Sequence, residues 1–233
     1  MEKMMYLVWK HETESATDFR QKLLGKVSKQ LMELGVHKLR ISVVDDDVSP
    51  ADKLRRESTK PPMSGVISMW VDTAIHRQPL EQTIESAVAR MAGYLVSESE
   101  PIVNTKHKVP DGQRTPGMNQ VVLLQRPTRL SYGQWIEIWH GSHTQVAMET
   151  QSTFGYRQNV IVRSLTYAAP PYDAIVEENF PAAAMTDTLA FYDSVGDKAK
   201  CKERVKTMME SCARFIEFDK IDCTPTSEYT VRS

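Results

Sequence analysis

Hydrophobic positions along the chain follow two rhythms that alternate in blocks. Met4 to Lys10 is a short apolar run rich in strand formers and predicts a strand. From Ser15 to Leu34 the apolar residues Phe19, Leu23, Val27, Leu31 and Leu34 recur at three- and four-residue steps, which predicts a helix with one buried face, stopped by Gly35. His37 to Val44 alternates as a second strand. The polar stretch Asp45 to Pro62 reads as a loop with a helical turn near Ala51 to Arg56. Met63 to Asp72 predicts a third strand. Pro79 to Gly93 predicts a helix that turns Ile84, Val88 and Met91 inward, and Tyr94 to Val103 a fourth strand. The order is β-α-β-β-α-β.

Asn104 to Gly117 breaks this rhythm with Pro110, Gly112, Pro116 and Gly117 among charged residues, which reads as a boundary. The chain divides into residues 1–104, a linker at 105–117, and residues 118–233. The element order then repeats. Asn119 to Arg126 is a strand, Ser131 to Thr150 a helix, and Tyr156 to Leu165 and Tyr172 to Phe180 are strands. Ala183 to Ser194 is a short helix, Lys198 to Phe215 a long one, and Glu217 to Val231 holds the last strand, with a bulge expected near Pro225. At an offset of 116 residues, Lys10 falls on Arg126, Ser15 on Ser131, Phe19 on Trp135 and Leu23 on Trp139. A β-α-β-β-α-β unit forms a four-stranded antiparallel sheet with both helices on one face. Its open face must be covered, and two units in one chain can pack sheet against sheet. The expected fold class is α+β: tandem ferredoxin-like units packed as an intramolecular dimeric α/β barrel.

The two halves differ in what their buried faces carry. In the second, Ser131 and Gln134 form a capping box, and Leu130 and Trp135 a hydrophobic staple. Trp135, Trp139, His143 and Val146 share the helix's apolar face, and His143 falls where the first half has Val27. At an offset of 109 the third strands pair Ser68 with Glu177 and Met69 with Glu178. Ionisable groups at packed positions cost desolvation that a purely structural copy has no use for. The functional site is therefore expected in the second half, with the first supplying its other wall.

Composition narrows the class. Of 233 residues, 41% are hydrophobic and 25% charged, as in ordinary globular domains, and the net charge is −1. Without a basic stripe, nucleic acid is not an expected partner. Without an apolar run near the roughly 20 residues of a membrane span, neither is a membrane. MEKMMYLVWK lacks the features of a signal peptide. Cys201, Cys212 and Cys223 are too few for a disulfide framework and read as core thiols, pointing to the cytoplasm. His140 and His143 are three residues apart, but no third ligand lies near them, so no metal is expected.

The second half resembles an EthD domain of the dimeric α/β-barrel superfamily. The resemblance lies in QVVLLQRPTRLSYGQWIEIWHGSHTQVA, GYRQNVIV and YDAIVEENF, with Arg126, Pro127, Trp139, His143, Tyr156, Gln158, Asn159, Asp173 and Glu177 at the motif positions. It implies a protein that binds a small, partly apolar carbonyl compound, aromatic or polyketide-like. Two functional classes follow: a cofactor-independent lyase, isomerase or oxygenase, or a non-catalytic ligand-binding or accessory protein of a degradation pathway. In the first, His143 is the acid or base, and Glu177 or Asp173 orients it or holds a second proton. Trp135, Trp139, Tyr156, Asn159 and Phe180 are the expected ligand contacts. Alternation along the strand leaves open whether Glu177 or Glu178 looks into the site. No cofactor is called for, and any homo-oligomer should form through helices or edge strands. An enclosed pocket with His143 in its wall favours the enzyme; a histidine capped by backbone in a filled core favours the alternative.

Overall fold

A computed structural model describes residues 1–233. In chain order the elements are β1 (Glu2–Trp9), α1 (Ala16–Lys22), α2 (Ser28–Glu33), β2 (Lys38–Val43), β3 (Gly65–Val71), α3 (Gln78–Glu85), β4 (Arg90–Ile102), β5 (Met118–Leu124), α4 (Tyr132–Ile138), α5 (Thr144–Thr150), β6 (Gly155–Ser164), β7 (Ala174–Phe180), α6 (Thr188–Phe191), α7 (Lys198–Ala213) and β8 (Asp222–Arg232). One π turn, Leu23–Val27, joins α1 to α2, and another, Trp139–His143, joins α4 to α5. They start 116 residues apart (139 − 23), the offset that places Ser15 on Ser131. Ser15 and Ser131 cap the two helices, and the capping box of Ser131 with Gln134 is formed.

All eight strands join one closed antiparallel barrel in the order β1-β3-β2-β8-β5-β7-β6-β4. The expectation of two sheets stacked face to face is corrected in this respect. The halves are hydrogen-bonded to each other at both edges, β2 to β8 and β4 to β6. Closure removes every free edge, which stacking alone would leave exposed.

Alternation gives each strand an inner and an outer set. The inner set divides along the barrel. At one end Met5, Leu7, Trp9, Tyr94, Leu123 and Ile175 form an apolar plug. At the other, Lys3, Glu98, Arg157, Glu177 and Glu228 form a buried ionic cluster. The outer set meets the helices. In the first half that interface is a filled core of Met4, Tyr6, Val27, Leu39, Met69 and their neighbours.

Several boundaries differ from the sequence reading. The second helix ends at Glu85, and β4 begins at Arg90, so Met91 belongs to a strand. Pairing with β1 from Trp9 onward pulls this stretch into the sheet. Residues 46–54 form a 3-10 helix. The bulge in β8 lies near Val231, where the pairing with β2 slips between Leu39 and Arg40, and not at Pro225. Pro225 fits because Cys223 directs its N–H to Arg56. Alternation turns position 225 to the same side, short of the first β2 pair at Ser227, where no ladder bond needs an N–H. No helix is long and apolar enough to cross a membrane.

Candidate functional site

Where the first half is filled, the second is hollow. A cavity of about 500 Å³ opens between the outer face of β5, β7, β6 and β8 and the layer made by residues 139–143, α6 and α7. Pro50, Lys53, Leu54 and Arg56 of the first half close one side, as expected of a supporting wall. The difference shows in matched rows across the two sheet faces. In the first half Met4, Met69 and Leu39 lie side by side. In the second the corresponding row is Gln120, Glu178 and Tyr156. Three apolar side chains have become an amide, a carboxyl and a phenol, and all three line the cavity.

Glu178 has neither an ion-pair nor a hydrogen-bond partner; Gln120 and Tyr156 flank it in the row, and Val122, Val176, Met208, Phe215 and Cys223 belong to the same cavity wall. Burial alone pushes its carboxyl up to about 7. A charged carboxylate in an apolar wall loses its hydration and gains nothing in return, so the proton stays on until near-neutral pH. The Cys212 and Cys223 thiols, also in this wall, are pushed up to about 12 by burial, which leaves them protonated and unreactive.

His143 ends the π turn and stays buried at 7% exposure. Its ring packs on Phe215, with centroids 4.5 Å apart. Its Nδ1 lies 2.9 Å from Ser211 Oγ on α7, and Arg214 donates to that same oxygen at 3.0 Å. The Ser211 hydroxyl accepts from Arg214 and has no acceptor in the chain other than Nδ1, so its proton is assigned to that bond. The imidazole is then the neutral tautomer with its N–H at Nε2. Burial, and next the charge of Arg214, pull its pKa down to about 4, so it is neutral across physiological pH. Trp139 stands beside it and donates to the Tyr156 hydroxyl at 3.4 Å, where Gln158 also donates at 2.9 Å.

Of the expected site residues, the structure brings His143, Trp139 and Tyr156 together in the cavity wall. Trp135 lies one layer behind, its ring 5.0 Å from that of Trp139 and its Nε1 donating to the Phe215 carbonyl. Phe180 is stacked on Phe191 in a neighbouring core, 4.3 Å between centroids, and only Phe191 reaches the cavity. Glu177 and Asn159 are on the inner side of the barrel, where Asn159 donates to Glu177 at 3.2 Å and accepts from Lys3 at 2.7 Å. Asp173 accepts from the backbone N–H of Arg126 at 2.7 Å and fixes the turn after β5. The grouping of Glu177, Asp173 and Asn159 with His143 is thus corrected. Tyr156 and Asn159 are an odd number of residues apart in one strand and cannot share a face. His140 opens on a separate surface groove with Tyr132 and Ser97, so it does not converge with His143. Glu178 and Arg56 are the side chains the sequence left unassigned. The signal for Glu178 was present in its alignment with Met69.

No family model matches the chain, and no curated protein matches its sequence. Among solved structures it is similar to an anthrone oxidase-like protein, with 6% identity and a TM-score of 0.55, over 100% of this chain and 94% of the other. It is also similar to a provisionally assigned monooxygenase from Fusobacterium nucleatum, with 10% identity and a TM-score of 0.50, over 99% and 92%. The fold is that of the dimeric α/β-barrel proteins. At such identities the likeness is one of fold, and fold alone does not select a reaction.

Proposed function

We propose that this chain binds a small, mostly apolar carbonyl compound, aromatic or polyketide-like, in the cavity of its second half and moves a proton on it. The observation that carries this reading is an unpaired buried carboxyl sharing a cavity with an imidazole whose Nδ1 is tied to Ser211, which leaves Nε2 for a ligand. Glu178 is the base: near neutral pH it is poised to accept a proton from a carbon beside the carbonyl or conjugated with it through an aromatic ring. As that C–H bond breaks, its electron pair moves onto the carbonyl oxygen, and His143 Nε2–H stabilises the enolate. Return of the proton to another carbon completes an isomerisation, and loss of a leaving group a lyase reaction; bonding of the carbanion to dioxygen, protonation to a hydroperoxide and loss of water to leave a second carbonyl complete an oxygenation. His143 therefore serves as a hydrogen-bond donor in place of the acid–base role its sequence position suggested. The organisation that goes with this function is an EthD-like tandem of ferredoxin-like units, 1–104 and 118–233 joined by 105–117. The matched π turns and matched strand rows support that tandem. Anthrone is a fitting probe, since its methylene lies across the central ring from the ketone and is acidified by conjugation through the two fused benzene rings, and one fold relative is named as anthrone oxidase-like.

The test is deuterium exchange at the anthrone methylene, with wild type beside Glu178→Gln. Exchange should fall about 10²- to 10⁴-fold with binding kept within a few-fold. Exchange that survives the substitution would refute the role of Glu178. Tight binding without protein-dependent exchange would leave a ligand-binding protein.

A further inference from the structure

Two of the charged side chains that line the cavity are cationic, Lys53 and Arg56, and the only acidic one is Glu178. Both cations come from the segment that the first half lends to the site. Arg56 is held in place by a two-way backbone pairing with Cys223, at 3.0 and 2.9 Å. The charges around them are paired off. Arg55 meets Asp52 at 3.2 Å and Glu57 at 3.9 Å, and Lys60 also pairs with Glu57. Lys53 and Arg56 have no ion-pair partner and no side-chain hydrogen bond. A solvated surface cation is ordinary, but two unpaired ones in the wall of an apolar cavity leave a positive rim with nothing in the chain to balance it. Met209 and Phe218 belong to the same lining and are themselves partly exposed, at 42% and 39%. The opening thus offers apolar surface together with positive charge.

We infer that the ligand of this cavity is an amphipathic anion: an apolar ring system with one carboxylate or sulfonate group that stops at the rim between Lys53 and Arg56. This rests on reading the cavity as the ligand site. An anion carried into the apolar interior would lose hydration without compensation and would meet Glu178. Held at the rim it keeps water on one side and gains two cations. This fixes the ligand's direction, with the acidic group outward and the reacting carbonyl inward near His143 and Glu178.

The test uses two fluorescent probes with nearly the same ring system, anionic 1-anilinonaphthalene-8-sulfonate and neutral N-phenyl-1-naphthylamine. Each is titrated into wild type and into the double variant Lys53→Gln/Arg56→Gln, whose substituted side chains are exposed. Exposed ion pairs of this kind predict a loss of about 2- to 25-fold in sulfonate affinity for the double variant, with the neutral probe unchanged within about two-fold. Raising salt should erode the wild-type affinity for the sulfonate and leave that for the neutral probe. The two probes should displace each other. If the neutral probe binds and the double variant weakens both probes equally, or neither, the anionic-ligand inference is overturned while the cavity reading stands. If neither probe binds wild type, the cavity reading falls and this inference with it.

Discussion

Glu177 and Glu178 are neighbours in β7 that point to opposite sides of the barrel wall. Glu177 faces inward, 3.2 Å from Arg157 Nε and 3.5 Å from Lys3 Nζ. Burial alone would raise its pKa, but these two cations outweigh it and hold the carboxyl well below the usual carboxylate range. Glu178 faces outward into the cavity with no cation paired to it, and burial acts unopposed. One peptide bond separates a permanent anion from a group that titrates near neutrality.

The Glu178→Gln variant should therefore gain stability with pH. The folded pKa is raised from an ordinary 4.5 to about 7, so wild type is free of the ionisation cost below pH 4.5 and incurs it progressively up to pH 7. Glutamine avoids that cost. Urea unfolding of the two proteins should agree at pH 4 and diverge in favour of the variant by on the order of 3 kcal/mol at pH 8. Equal stability at pH 8 would mean that Glu178 has a counter-charge.

Glu177→Gln should do the reverse. Removing one charge from a buried cluster strands the others, at a cost of about 3–5 kcal/mol at neutral pH. Because the folded pKa of Glu177 is lowered, its contribution is present above pH 4.5 and is lost as the pH falls below that, so the cost should shrink in acid. Binding of N-phenyl-1-naphthylamine in the cavity should be untouched. A loss of binding at unchanged stability would return Glu177 to the site.

His143→Leu should cost little stability at pH 7, within about 1–3 kcal/mol, because Ser211 keeps its bond from Arg214. Folding holds the imidazole neutral, with its pKa lowered from 6.5 to about 4, so the wild type loses stability between those values as pH falls, by on the order of 3 kcal/mol. The leucine variant lacks this slope. The reciprocal Val27→His puts an imidazole into the filled core of the first half and should destabilise by about 1–3 kcal/mol without creating any ligand response. Large destabilisation of His143→Leu with anthrone exchange intact would make His143 structural.

Barrel closure within one chain predicts that folding needs no second copy. The unfolding midpoint in urea should not move over a hundred-fold dilution. A midpoint that falls with dilution would imply strands or sheet faces shared between chains.

Much of this architecture is determined by the sequence alone. Ser15 and Ser131 begin helices because their hydroxyls cap exposed N–H groups, a local effect. The correspondence at 116 residues is written in apolar spacing, although the sequence reads as two unbroken helices where the structure has a π turn in each. The contrasts of Val27 with His143 and of Met69 with Glu178 were likewise visible before any fold was known. Tertiary structure alone decided which side of β7 faces the barrel interior, since alternation defines two faces and does not label them. It also decided that the halves join at their edges, because strand pairing is set by backbone groups that every residue shares. Last, it decided that the second half is hollow. Packed core and cavity wall draw on the same side chains, and the difference lies in whether an opposing helix fills the space beyond them.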